Sequence, residues 1–211
     1  MVKNKTANRI LGSLLLVGVF FCATRGYSEE KTHDAALSVK AEKTQKQDKK
    51  RTTDEKPNVS VTTTIETETE TCTLEITVEN PAKQSDSYQL EWFFISQKDE
   101  GTPNEKLYIF GLGKADIDLE GKAEITKTEV SKPFVYTKKS IDRTGPGGNA
   151  GNSQQIRGGD AYAGYIVLLK AGGQIIQKES NDARFLNDEW MAKCGAAAKT
   201  ARPPPKNKKK P

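Results

Sequence analysis

The strongest constraint on the fold is a period-two alternation that begins at Val59 and recurs along most of the chain. Cys72, Leu74, Ile76 and Val78 alternate with Thr73, Glu75 and Thr77, which places the apolar side chains on one face of a strand. Asn80-Pro81 ends it. Upstream, Val59, Val61, Thr63 and Ile65 alternate in the same way, in a Thr-rich run. Residues 88–96 are apolar on both faces at their end, which predicts a central strand carrying Trp92. A polar turn over 98–106 leads to a strand at 107–112. Ile117, Leu119, Ala123 and Ile125 mark two short strands around Glu120-Gly121, and residues 134–138 add a further strand or edge.

A glycine-rich stretch over residues 144–160 reads as a long loop. After it, residues 161–169 form a buried strand, Gly172-Gly173 a turn, and residues 174–178 its hairpin partner. The last element changes period. Leu186, Trp190 and Cys194 recur at four-residue spacing and predict a short helix, with Asn181 or Asp182 as N-cap and Gly195 as its stop. About seven to eight short strands with no helix between them predict an all-β, immunoglobulin-like β-sandwich with a short C-terminal helix. A partly open barrel is the other architecture this pattern allows.

The N-terminus has a separate logic. Lys3, Lys5 and Arg9 precede an apolar run over residues 10–23, which suits a signal-peptide core and is short of the roughly twenty residues a bilayer span needs. Residues 1–26 are therefore expected to be a signal peptide, with an uncleaved anchor as the alternative. Small residues allow a cut before Arg25 or before Tyr27. Lipidation at Cys22 is a minor alternative, because Phe20 and Phe21 fit a lipoprotein site poorly. A prepilin-type signal is a poor match, since the cut after Gly and the nearby Glu that it would place around the start of the apolar run are not there. The expected location is exported: periplasm, outer membrane surface or extracellular.

Export changes the charge balance. Removing Lys3, Lys5, Arg9 and Arg25 takes the formal +5 to about +1. Residues 27–57 mix eight basic with seven acidic side chains and few apolar ones, and read as a disordered charged leader. Residues 58–195 form the predicted domain and carry a net −6. Residues 196–211 hold six basic residues, no acidic one and a proline run, and read as a disordered basic tail. Such a tail can contact anionic envelope polymers, fold back on the acidic body, or simply aid solubility.

Processing would also leave Cys72 and Cys194 as the cysteines of the chain. An even pair in an oxidising compartment predicts a Cys72–Cys194 disulfide, closing a loop worth about 4 kcal/mol in the chain-entropy account. Two buried free thiols are the plainer alternative.

Little in the sequence supports catalysis. The only histidine, His33, lies in the leader, which removes Ser–His–Asp, Cys–His and histidine-based metal sites from the expected domain. Glu66, Glu68, Glu70, Glu75 and Glu79 fall at alternating positions and read as a solvated sheet face rather than a glycosidase pair. Asp116, Asp118 and Glu120 resemble the start of a calcium loop but lack its remaining ligands. The run from Gly145 to Ala150 matches a relaxed GxGxxA pattern without the strand and helix that make that motif bind phosphate. No catalytic residue, metal site or cofactor is expected.

Trp92 together with the closing hairpin over residues 162–180 resembles small secreted immunoglobulin-like proteins of Gram-negative bacteria, in particular those associated with type IV pili. The resemblance spans about residues 59–192 and rests on strand order without a diagnostic motif. It implies an assembly or adhesion role at the cell envelope and no particular functional residues. The expected function is thus an exported, non-enzymatic binding or assembly protein acting through its sheet edges or the 144–160 loop. Its expected partners are an envelope or pilus protein or a second copy, with no nucleic acid. A glycan-binding module is the alternative, to be favoured by exposed Trp or Tyr side chains.

Overall fold

The computed structural model of the chain describes residues 35–57, 59–83, 85–99, 106–145 and 153–200. The signal peptide and its cut, Cys22, His33, the first part of the leader, the Gly-rich stretch over 146–152 and tail residues 201–211 lie outside the described residues.

Eight antiparallel strands precede one short helix. They are β1 (Ala36–Lys56), β2 (Val59–Glu79), β3 (Asp86–Asp99), β4 (Lys106–Leu119), β5 (Glu124–Val130), β6 (Phe134–Thr144), β7 (Gln154–Ala171) and β8 (Gln174–Ser180). A 3₁₀ turn over Ala183–Leu186 leads into α1 (Asp188–Thr200). The all-β class and the C-terminal helix agree with the sequence. The connectivity does not give two separate sheets, because the strands follow one hydrogen-bonded path, β1-β2-β6-β7-β3-β4, with β5 on β2 and β8 on β7.

The sheet curls because two strands are long enough to serve two partners each. Residues 60–70 of β2 pair with β6, and residues 73–79 pair with β5 on the same side. Likewise β7 pairs with β6 through 154–159 and with β8 through 166–171. Past the start of β6 the sheet therefore parts into two limbs, β1-β2-β5 and β8-β7-β3-β4. They close on a first core in which Leu74, Ile76 and Val78 of one limb meet Leu90, Trp92, Phe94, Val167 and Leu169 of the other. Gln177 ties one margin of the limbs, accepting from the Leu37 amide at 2.7 Å and donating to the Ala35 carbonyl. Asn80 ties the other, its amide donating to the Ala123 carbonyl at 2.8 Å and its side chain to the Glu120 carbonyl at 3.3 Å.

A second core lies on the outer face of β3 and β7, where Phe93, Ile95, Ile166 and Leu168 pack against Phe185, Trp190 and Cys194. Both faces of these two strands are covered, which is why residues 92–95 and 166–169 are apolar without alternation. Phe185 and Trp190 meet edge to face at 5.0 Å, and the Lys193 ammonium sits 4.4 Å from the Trp190 ring.

Several boundaries differ from the sequence reading. The leader over 27–57 is not wholly disordered, since residues 36–56 form β1 and pair along their whole length with β2. Leu37, Val39 and Ala41 supply its small apolar share, packing on the first core. Beyond them the backbone ladder and side-chain pairs do the rest: Lys43 with Glu70 at 2.7 Å, Gln45 with Glu68, Lys49 with Glu66 at 2.6 Å, and Thr53 with Thr62 at 3.3 Å. An edge strand needs only one partner and a part of one face, so its composition can look disordered. The domain thus extends upstream of residue 58 to at least Ala35.

At the other end Gly195 does not stop α1, which continues to Thr200 and takes in residues 196–200 of the expected tail. Ala197 and Ala198 pack against the second core and offset the cost of an internal glycine. Asn187, not Asn181 or Asp182, caps α1, accepting from the Trp190 amide at 3.0 Å. Asp182 instead caps the 3₁₀ turn. The loop over 144–160 is also shorter than expected, because Thr144 belongs to β6 and residues 154–160 to β7.

Candidate interaction edges

The buried polar groups are paired, which makes them structural. Glu70 faces the first core, takes the Lys43 ammonium and accepts from the Tyr162 amide at 3.2 Å. Glu91 and Lys170 form an ion pair of 2.6 Å on the second-core face, both largely withdrawn from water. Tyr108 donates to Asp160 at 2.5 Å, and burial together with that acceptor raises its phenol pKa. Tyr162 lies beside Cys72, where burial holds its phenol protonated far above the usual range. Among the described residues no buried side-chain polar atom lacks a partner, and no three His, Cys, Asp or Glu side chains gather where a metal could sit.

The expected Cys72–Cys194 disulfide is absent. Both thiols are free and buried, and they occupy different cores, Cys72 between the limbs and Cys194 beneath α1. The β3–β7 layer separates those cores, so the two sulfurs are not placed to bond. Burial raises the Cys72 thiol to about 11. Burial, with the neighbouring Glu91 carboxylate, raises Cys194 to about 12. Thiolate is therefore scarce at neutral pH, and a thiol reagent is expected to modify neither Cys72 nor Cys194 until the protein unfolds. Rapid labelling of either residue in the native protein would contradict their placement.

The carboxylates singled out in sequence separate by face. Glu66, Glu68 and Glu70 share the inner face of β2 with Cys72 and Leu74, and meet Lys49, Gln45 and Lys43 across the ladder. The Lys49 ammonium lowers the Glu66 pKa. Glu75 and Glu79 point outward. Asp116 and Asp118 are exposed on β4 and hydrogen-bond Gln89 at 3.1 Å and Ser87 at 2.7 Å, as ordinary cross-strand pairs do.

Aromatic side chains offer no open platform. Trp92 and Trp190 are each 6% exposed, and no described Phe, Tyr or Trp is exposed. The open site expected of the glycan-binding alternative is missing from the described surface.

The sheet edges are what remain. Among the described residues β1 pairs with β2 alone, and its outer edge is guarded by charge, with Lys43, Lys46, Lys49, Lys50, Arg51 and Lys56 spaced along it. Strands β5 and β8 are short. Strand β4 differs. Among the described residues it pairs with β3 alone, and residues 107–113 (LYIFGLG) carry no charge and are half-buried throughout. A register shift opposite Phe94/Ile95 bends β4 near Phe110, which is the one blunting feature of this stretch. Leu107, Ile109 and Leu112 reach the second core, while Phe110 stacks on Phe134 at 4.4 Å, so both faces of this edge are held rigidly. A rigid, uncharged strand with one side of its backbone unpaired by the sheet is suited to accept another strand.

The sequence signal for this edge was present in the apolar run over 107–112. Its position at the margin of the sheet was not. No protein-family model matches the chain, and no curated protein matches it.

Proposed function

We propose that this chain is an exported, non-enzymatic binding or assembly protein of the cell envelope that works by strand addition at the β4 edge. The observation that carries the reading is the contrast between the charged β1 edge and the uncharged β4 edge over residues 107–113. Backbone hydrogen bonds to an added strand supply affinity, and the flanking Lys106, Lys114 and Asp116 supply selection by charge. Export rests on the N-terminal signal pattern, and the pilus-associated form of the role on the sequence resemblance.

Gly111→Lys tests it. A Cβ at Gly111 meets only a Phe94 ring carbon at 3.7 Å, an ordinary contact, so a side chain can start there without a clash. The new ammonium would stand on the edge as a gatekeeper. The mature protein is expected to retain a partner in a pull-down from its own cell envelope, or to self-associate in sizing measurements. Gly111→Lys should reduce that retention by about tenfold or more while leaving the melting temperature within a few degrees. Equal retention by both proteins would eliminate the β4 edge as the binding element.

A further inference from the structure

We propose that the outer face of the four-strand end of the sheet, where β1, β2, β6 and β7 run side by side, docks on an anionic lipid surface. The face is defined by register. Cys72, Leu74, Ile76 and Val78 of β2 point into the first core, so Val59, Val61, Thr63 and Ile65 point the other way. Across the strands, Lys50, Ile65, Lys139 and Ile156 form one row. Thr52, Thr63, Ile141 and Gln154 form the next, followed by Asp54, Val61 and Arg143.

Two properties coincide here. Val59, Val135 and Ile156 are 39%, 44% and 47% exposed, and all three fall on this face. They account for half of the exposed large aliphatic side chains among the described residues. Between them stand Lys46, Lys50, Lys56, Lys139 and Arg143, against two carboxylates, Asp54 and an Asp48 bridged to Lys46 at 3.3 Å.

Charge decides the occupant. A second copy stacked face to face would set Lys50, Lys139 and Arg143 against the same cations. A nucleic acid offers phosphates but nothing for Ile156 and Val135, and no aromatic side chain stands on these rows to stack a base. An anionic bilayer takes both kinds of group, aliphatic tips at the acyl boundary and ammonium and guanidinium groups among headgroup phosphates. No described helix is long and apolar enough to cross a membrane.

The test is co-sedimentation of the mature chain with phosphatidylcholine vesicles, with and without about 30% phosphatidylglycerol, at low and high salt. Binding is expected to the anionic vesicles alone and to weaken in high salt. Lys139→Glu with Arg143→Glu should lower partitioning by about tenfold or more, and Ile156→Ser with Val135→Ser by about fivefold. A fluorophore on Ile156→Cys, with Cys72 and Cys194 buried and unreactive, should shift to the blue on the anionic vesicles. That readout serves even if the serine variant loses stability. Equal binding to neutral vesicles, an unshifted probe, dependence on the tail alone, or preference for a DNA duplex over the vesicles would each overturn the proposal.

Discussion

Replacing Glu91 with alanine is expected to destabilise the protein by about 3–5 kcal/mol, seen as a lower midpoint in urea with an unchanged slope. Glu91 lies between Leu90 and Trp92 on β3, with its carboxylate on the second-core face, 2.6 Å from the Lys170 ammonium of β7. The side chains are only 6% and 17% exposed, so solvent cannot replace the lost partner of Lys170. Lys170→Ala should cost a similar amount by orphaning Glu91. The pair itself need not be stabilising, since desolvating two charges offsets much of their attraction. Glu91→Leu with Lys170→Met is therefore expected to recover most of the loss. A double variant as weak as the sum of the singles would mean that the two residues act independently and that the ion pair is not what they contribute.

The second large effect is expected at Gly113. Glycine there is required by a close approach rather than by an unusual backbone angle. It sits opposite Trp92 in the β3–β4 register, and a Cβ would come within 2.3 Å of the indole ring. The ring cannot withdraw freely, because it belongs to the first core and has Lys127 5.3 Å from its centre on another side. Gly113→Val should thus cost about 2–4 kcal/mol, with a red shift in tryptophan emission as the indole is pushed toward water. Combining it with Trp92→Leu should recover part of the loss that the two single changes would give if additive. Full stability in Gly113→Val with native emission would show that the ring does not lie against this strand.

These two sites also show how much of the fold was legible in the residues. The strands of the centre were readable because burial on one or both faces leaves a period, as in Cys72 to Val78 and in residues 88–96. The helix was readable from Trp190 and Cys194, though not its end, because Gly195 is outweighed by the packing of Ala197 and Ala198. Strand β1 was missed. Its alternating Leu37, Val39 and Ala41 continue in phase as Lys43, Gln45, Gln47 and Lys49, complementary to Glu66, Glu68 and Glu70. That complementarity is visible only once the two strands are laid side by side. The candidate edge was half legible, since an apolar run predicts a strand but not whether a neighbour covers it. The cationic, aliphatic face was not legible, as each of its rows takes residues from different strands far apart in the chain.

The sequence by itself determined the all-β class, the succession of the central strands along the chain and the C-terminal helix. These follow from local periodicity and composition, which act within one strand or helix. Only the tertiary structure decided that the strands join into one curled sheet, that Cys72 and Cys194 lie in different cores, and that β4 is left at the margin. Each of those depends on which distant segments pair. Register between long strands such as β2 and β7, each shared by two neighbours on one side, is set by the whole sheet rather than by any one stretch of chain.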